Sequence, residues 1–231
     1  MSAGETTGGP EDGRAGAAAV EERPRRRGRL DKREAILDAA LRVFSREGYE
    51  RASIDMIAAE AGVAKPTIYN HLGGKENLFR EIMLGAARDT GAKLLAALET
   101  FPADAADGAA LRAALLAVAP RLVGCFHEPE SWALQRMLHA ESVRFPDLYG
   151  TIRANGMGQA LDALAGRLAR LANAGHLEIP DPDRAAGQFI ALITHELAGL
   201  SELGNRALSD AEVDAVVTAG VDTFLRAYAP R

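Results

Sequence analysis

From Ala35 to Tyr228 apolar residues recur at three- and four-residue steps, the period of an amphipathic helix. Ala35, Ile36, Ala39, Ala40, Val43 and Phe44 make one stripe, which predicts a helix from about Asp31 to Glu47 with Gly48 as its stop. Ser53 suits the N-cap of a second helix, with Asp55 in its first turn and Met56, Ile57 and Ala61 facing inward. Gly62 permits a turn with φ > 0. A third helix is expected from near Ala64, with Pro66 tolerated in its first turn and Ile68 and Leu72 as inward anchors. Gly73 and Gly74 separate it from a long helix, Lys75 to about Thr100, whose apolar face runs from Leu78 and Phe79 to Leu98.

The same period continues to the C-terminus. It predicts helices from about Ala109 to Phe126, from Pro129 to Arg144, onward past Phe145-Pro146 to Ala174, from Asp181-Pro182 to Leu203, and from a Ser209/Glu212 capping box to Tyr228. Leu177-Glu178-Ile179 reads as a connector. The expected class is all-α, with about nine helices: an N-terminal three-helix unit followed by a larger helical domain.

Composition narrows the classes. Aromatic residues are 5% of the 231, which suits helices better than sheets. No apolar run is long enough to span a membrane, and no secretory signal is visible. The single cysteine, Cys125, excludes an internal disulfide framework and fits a cytoplasmic location. Net charge is −5, yet residues 21–80 hold 13 Lys and Arg against 10 Asp and Glu, while the remainder holds 14 against 22. Positive charge therefore gathers in the segment of short helices, an asymmetry that points to nucleic acid. Residues 1–27 carry almost no large apolar side chain and are expected to be a disordered tail. Arg25, Arg26 and Arg27 at its basic end are candidates to follow a DNA backbone.

Two short helices hinged at a glycine can set the second into a DNA major groove. With Ile68 and Leu72 inward, Lys65, Thr67, Tyr69, Asn70 and His71 are left outside: donor-rich and free of carboxylates. Such a face can meet phosphates and base edges without repulsion. Ser53 and Lys75 join these as candidates at fixed offsets.

Residues 33–79 resemble the DNA-binding domain of the TetR/AcrR family of bacterial transcriptional regulators. The likeness rests on Ile36-Leu37-Asp38-Ala39-Ala40, Phe44, Gly48, Ile57-Ala58, Ala61-Gly62-Val63, Thr67-Ile68-Tyr69, His71 and Lys75-Glu76-Asn77-Leu78. It implies that Tyr69 and Lys75 contact phosphates and that Lys65, Thr67 and His71 lie near bases or backbone. Ala64 departs from the family's frequent serine cap and Leu72 from its usual Phe. Glu141-Ser142-Val143-Arg144-Phe145-Pro146-Asp147-Leu148, with Gly175-His176-Leu177 and Asp181-Pro182, resembles the AefR-like regulatory domain. That implies ligand binding and dimerisation but names no ligand.

Cys125 and His127 stand two apart, off a common helical face, with His139, His176 and His195 scattered. No catalytic or metal set forms from them, so neither an enzyme nor a cofactor is expected. Met83, Phe126, Trp132, Met137, His139, Glu141 and Phe145 are the candidate effector-pocket residues. Phe189, Ile193, Leu197 and Leu200 on one helix, and Val213, Val217, Gly220, Val221 and Phe224 on the last, make wide apolar faces. Their width is expected to build a two-fold dimer.

The expected organisation is a tail at 1–27, a helix-turn-helix domain at 28–74 and a ligand-binding, dimerising domain at 75–231. The expected protein is a homodimeric regulator of a palindromic double-stranded DNA operator, a repressor released by an unidentified small molecule. The alternatives are an activator with the same DNA contacts, or a helical small-molecule-binding protein whose helix-turn-helix is vestigial.

Overall fold

The computed structural model describes residues 15–152, 154 and 157–230, with residues 15–31 as backbone alone. The described residues form ten helices and no strand: α1 (Ala15–Arg51), α2 (Ile54–Ala61), α3 (Lys65–Leu72), α4 (Lys75–Leu98), α5 (Gly108–Gly124), α6 (Pro129–Ala140), α7 (Leu148–Ile152), α8 (Gly158–Asn173), α9 (Pro182–Leu200) and α10 (Asp210–Tyr228). No single helix among them is long and apolar enough to cross a membrane.

Two expectations change. Residues 15–27 are helical and continue into α1, where disorder was expected. Ala15 and the Ala17–Ala19 run carry the highest intrinsic helix propensity, which needs no apolar core to act. Residues 1–14 lie outside the described residues. The single helix expected between Pro146 and Ala174 is two, α7 and α8. Gly150, Gly156 and Gly158 crowd that stretch and lower its helix propensity.

The helix ends follow sequence chemistry. Gly48 leaves the helical region at φ 75° and interrupts α1. Ser53 Oγ accepts from Met56 N at 3.2 Å and caps α2. Gly62 (φ 64°) and Gly73 (φ 70°) end α2 and α3 in the left-handed region. Ser209 and Glu212 form the reciprocal capping box of α10.

The apolar side chains gather in two clusters. One joins Ile36, Val43 and Phe44 of α1, Ile57 of α2, Ile68 and Leu72 of α3, and Leu78, Phe79, Ile82 and Met83 of α4. The other joins Leu94 and Leu98 of α4 with the buried faces of α5, α8, α9 and α10. Helix α4 thus belongs to both, its first turns to one and its last turns to the other. Burying each large side chain contributes about 1.5–3 kcal/mol, so neither end of α4 can move without disturbing a core.

The dimer expectation needs correction at the level of residues. Phe189, Ile193, Leu197, Val217, Val221 and Phe224 are fully or almost fully buried within one chain, inside the second cluster. Leu200 and Val213 are partly buried against it. Gly220 is buried too: a Cβ there would stand 2.5 Å from the Leu192 carbonyl oxygen of the same chain. The extra apolar width is used because α9 and α10 pack on each other and also on α8 and α5. A terminal pair covered on several sides needs more than one stripe.

Candidate nucleic-acid interface and effector cavities

Helix α3 starts without a side-chain cap. Ala64 has the extended backbone of an N-cap (φ −75°, ψ 142°) but no oxygen to offer. Its carbonyl accepts from Thr67 N at 2.8 Å, which holds the first turn. Ile68 and Leu72 are buried, and Lys65, Tyr69 and Asn70 face solvent, Tyr69 at 50% exposure. Thr67 and His71 are half-buried beside them. These five expected DNA contacts therefore share the outer side of one helix. Gly74 (φ 125°) lies under the Tyr69 ring, where a Cβ would reach 3.5 Å from it.

Two other expected contacts, Ser53 and Lys75, are placed differently. Ser53 is occupied as a cap. Lys75 is half-buried: its Nζ donates to the Glu50 carbonyl at 3.1 Å and lies 4.5 Å from the Tyr49 ring centroid. Burial holds its pKa below the ordinary lysine value. It ties the start of α4 to the end of α1. The side chains of Arg25, Arg26 and Arg27 lie outside the described residues. Lys65 pairs with Asp55 at 2.9 Å, which raises its pKa. An exposed pair of this kind contributes about 0–1 kcal/mol and yields easily to a phosphate.

Residues beyond the helix-turn-helix complete its core. Phe145, in the turn between α6 and α7, is 2% exposed. It stacks on Phe79 at 4.9 Å and meets Tyr49 edge-on at 5.3 Å. Met137 and Leu148 enter the same cluster. Arg80 grips Asp147 with two hydrogen bonds, 2.8 and 3.1 Å, and Arg144 pairs with Glu50. So the α6–α7 turn is stapled to the DNA-binding end by one aromatic stack and two ion pairs.

The effector candidates divide. Met83 and Phe126 line a cavity of about 270 Å³ with Ala87, Thr90, Gln135 and Leu138. Phe126 and Trp132 line a second, about 370 Å³, with His127, Leu161, Ile190 and Thr194. Phe126, Gln135 and Met157 line both, so the two are neighbours between α4, α6, α8 and α9. Met137 and Glu141 instead border a cleft of about 210 Å³ beside Tyr49. Phe145 is core, and His139 is exposed, its Nδ1 2.7 Å from the Gln135 carbonyl. One helical turn separates Gln135 from His139, and only the former turns inward.

Trp132 is held from outside by the turn after α9. Glu202, Leu203 and Gly204 all have positive φ (51°, 57° and 85°), and a Cβ on Gly204 would overlap the Trp132 side chain. The Arg136 guanidinium donates to the Leu203 carbonyl and fixes that turn to α6. Cys125 is buried, its thiol donating to the Arg121 carbonyl at 3.3 Å, with its pKa raised by burial.

Ser131, Gln135, Met157 and Thr194 also line these cavities and were not among the residues expected from the sequence. The available signal was an uncharged polar residue in the inward phase of a helix, as with Ser131 and Gln135 four apart on α6. A further cleft of about 250 Å³, between α1, α4 and α6, is charged instead: Asp38, Glu81, Asp89, Lys93, Glu128 and Glu130 line it.

Comparison with known proteins adds two family matches. Residues 36–82 match the model described as bacterial regulatory proteins, tetR family, and residues 113–230 match the AefR-like transcriptional repressor, C-terminal domain. The HTH-type transcriptional regulator AcrR of Shigella flexneri is 39% identical over 74 residues, 32% of this chain and 34% of the relative. The match thus spans about a third of that relative's length. A TetR-family transcriptional regulator from Mesorhizobium loti superposes with a TM-score of 0.76 at 26% identity, covering 87% of this chain and 98% of the other. The flavonoid-responsive regulator FrrA superposes at 0.64 with 30% identity, over the same shares.

Proposed function

The chain belongs to the TetR family of bacterial regulatory proteins, which are DNA-binding transcriptional regulators rather than enzymes, and we propose that it acts as a homodimeric repressor released by a small molecule. Residues 28–74 would read DNA, and residues 75–231 would bind the effector and the second subunit. The AefR-like repressor match supports the repressing sign, and the flavonoid response of FrrA supports a small-molecule effector.

One observation carries the proposal. Helix α4 packs Leu78, Phe79 and Ile82 into the DNA-binding core, while Met83, Ala87 and Thr90, within two turns, line the effector cavity. A ligand that repacks the cavity displaces α4, and α3 moves with it. Each subunit presents α3 to one half-site of a palindromic operator. Release follows when the ligand prefers the arrangement whose recognition helices do not span that operator.

Assembly then needs a surface other than the apolar faces already used. Ala211, Ala215 and Ala219 are exposed at four-residue steps along α10. Small side chains at that spacing allow close approach of a second helix. Sedimentation at micromolar concentration should give a dimer, and Ala215→Arg a folded monomer that binds a palindrome far more weakly. Val217→Asp, in contrast, should unfold the chain.

DNA docking is tested by salt titration on the intergenic DNA beside the gene. Tyr69→Ala should weaken binding to all sequences. Lys75→Ala should lower the dependence of log affinity on log salt by about one, because Glu50 occupies only one of its three N–H donors. A wild-type monomer binding a full palindrome tightly would sink the two-fold mechanism.

A further inference from the structure

We propose that the paired cavities between α4, α6, α8 and α9 take an uncharged, mostly apolar molecule bearing a hydroxyl, and that Nε2 of His127 holds that hydroxyl. This rests on the ligand-responsive reading above and names the effector's chemistry.

The walls set the charge. No Asp, Glu, Lys or Arg among the described residues lines either cavity. An ionic ligand would lose its hydration there, and among the described lining residues only His127 and His195 could answer its charge. Phe126, Trp132, Met157, Leu161 and Ile190 supply apolar and aromatic surface instead. The two neighbouring spaces, about 270 and 370 Å³, fall together within the size of small-molecule sites.

The polar anchor is singled out by its lack of a partner. Nε2 of His127 is buried and has no hydrogen-bond partner among the described residues. Thr194 Oγ1 donates to the Ile190 carbonyl at 2.7 Å, and among the described residues the other polar lining side chains, Ser131, Gln135 and His195, bury no unpartnered atom. The His127 ring is held perpendicular to Trp132, centroids 5.0 Å apart. Burial lowers its pKa, which favours the neutral imidazole. Nε2 is then a donor or an acceptor according to tautomer, and a hydroxyl can answer either. A buried polar atom left unanswered is costly, so a ligand that satisfies it gains affinity and orientation together.

Trp132 is the chain's single tryptophan and lines the larger cavity, so its fluorescence reads occupancy directly. Full-length protein is titrated with 7-hydroxyflavone, unsubstituted flavone and salicylate. The hydroxylated probe should quench saturably and bind about fivefold to tenfold tighter than flavone, the yield of one hydrogen bond. Salicylate, an anion, should not compete. His127→Leu should remove the preference for the hydroxyl, bringing 7-hydroxyflavone and flavone to equal affinity.

Equal affinity for the two flavones in the wild type would mean that Nε2 serves only a water, and would overturn the proposal. So would an unchanged preference in His127→Leu, or salicylate binding as tightly as 7-hydroxyflavone. If His127→Leu fails to fold by circular dichroism, the wild-type ratio alone decides. Operator release is measured separately on the same samples. Probe binding with the expected preference but no release would support the His127 site and count against the ligand-responsive reading.

Discussion

The DNA-binding end and the effector end of this molecule are built on opposite plans. Around α3 the working residues point outward from a filled core: Ile36, Val43, Phe44, Ile57, Ile68 and Phe79 are all fully buried. Around α6 and α8 the working residues point inward, and the core stops short of filling the space between them. The first plan makes a rigid platform that presents five polar side chains in fixed geometry. The second leaves room for an added molecule to change packing. Proteins transmit strain through close-packed interiors, so in the proposed mechanism the filled end would move as a body when the loose end is repacked. Helix α4, the staple at Phe145 and the packing of α6 on α1 attach one end to the other.

The sharpest way to break this contrast is to truncate Phe145. It lies outside the helix-turn-helix in sequence but inside its core. Phe145→Ala should cost about 3–5 kcal/mol, the range for a fully buried aromatic. Leu161→Ala, at the cavity wall and partly exposed, should cost clearly less, since part of its surroundings is already empty. Urea unfolding of both variants measures this. Equal losses would mean that the effector end is packed as tightly as the DNA end.

The contrast also explains what could be read along the chain. The outward residues of α3 were legible because a polar side chain in the polar phase of a short helix is visible against Ile68 and Leu72. The proposed effector cavity was legible only in part. Met83, Phe126 and Trp132 share the apolar phase of true core residues such as Met137 and Phe145, and periodicity cannot tell a lining from a filling. The dimer face failed for a related reason. Phe189, Ile193, Val217 and Phe224 form a wide apolar face, and width alone does not say whether a neighbour in the same chain or another chain covers it. The family resemblance implies a phosphate contact for Lys75, whereas its tie to the Glu50 carbonyl depends on a fold-level approach of α4 to the end of α1.

A smaller effect sharpens the platform side. Ala64 holds the backbone of an N-cap without its oxygen. Ala64→Ser should stabilise the protein by about 1 kcal/mol. The gain comes through Thr67 N–H alone, because Pro66 has no N–H to offer. Thermal unfolding should show a rise in Tm with no change in operator preference, since the added hydroxyl caps the helix rather than facing bases. A loss of stability would mean that the Ala64 carbonyl bond to Thr67 already satisfies this end.

The smallest expected effect lies at the effector end, where α10 begins. The Glu212 carboxylate is held down to about 2, first by the Arg206 guanidinium and then by the backbone N–H and hydroxyl of Ser209. Its ordinary value is 4.5, so the folded state prefers the charged form. The contribution is fully present above the unfolded value and disappears as pH falls from about 4.5 through about 2. Glu212 lies at the surface, its side chain about a third exposed, which keeps the effect small and sensitive to salt. Glu212→Gln should therefore lower the urea midpoint slightly at pH 7, and the gap from wild type should narrow steadily between pH 5 and pH 2. In the DNA-binding platform the Glu60 carboxylate is also held below its ordinary value, first by a hydrogen bond from Arg42, so the difference between wild type and Glu212→Gln is what isolates the Glu212 contribution. A gap between wild type and Glu212→Gln that stays constant down to pH 2 would show that the capping box, rather than the charge on Glu212, fixes the start of α10.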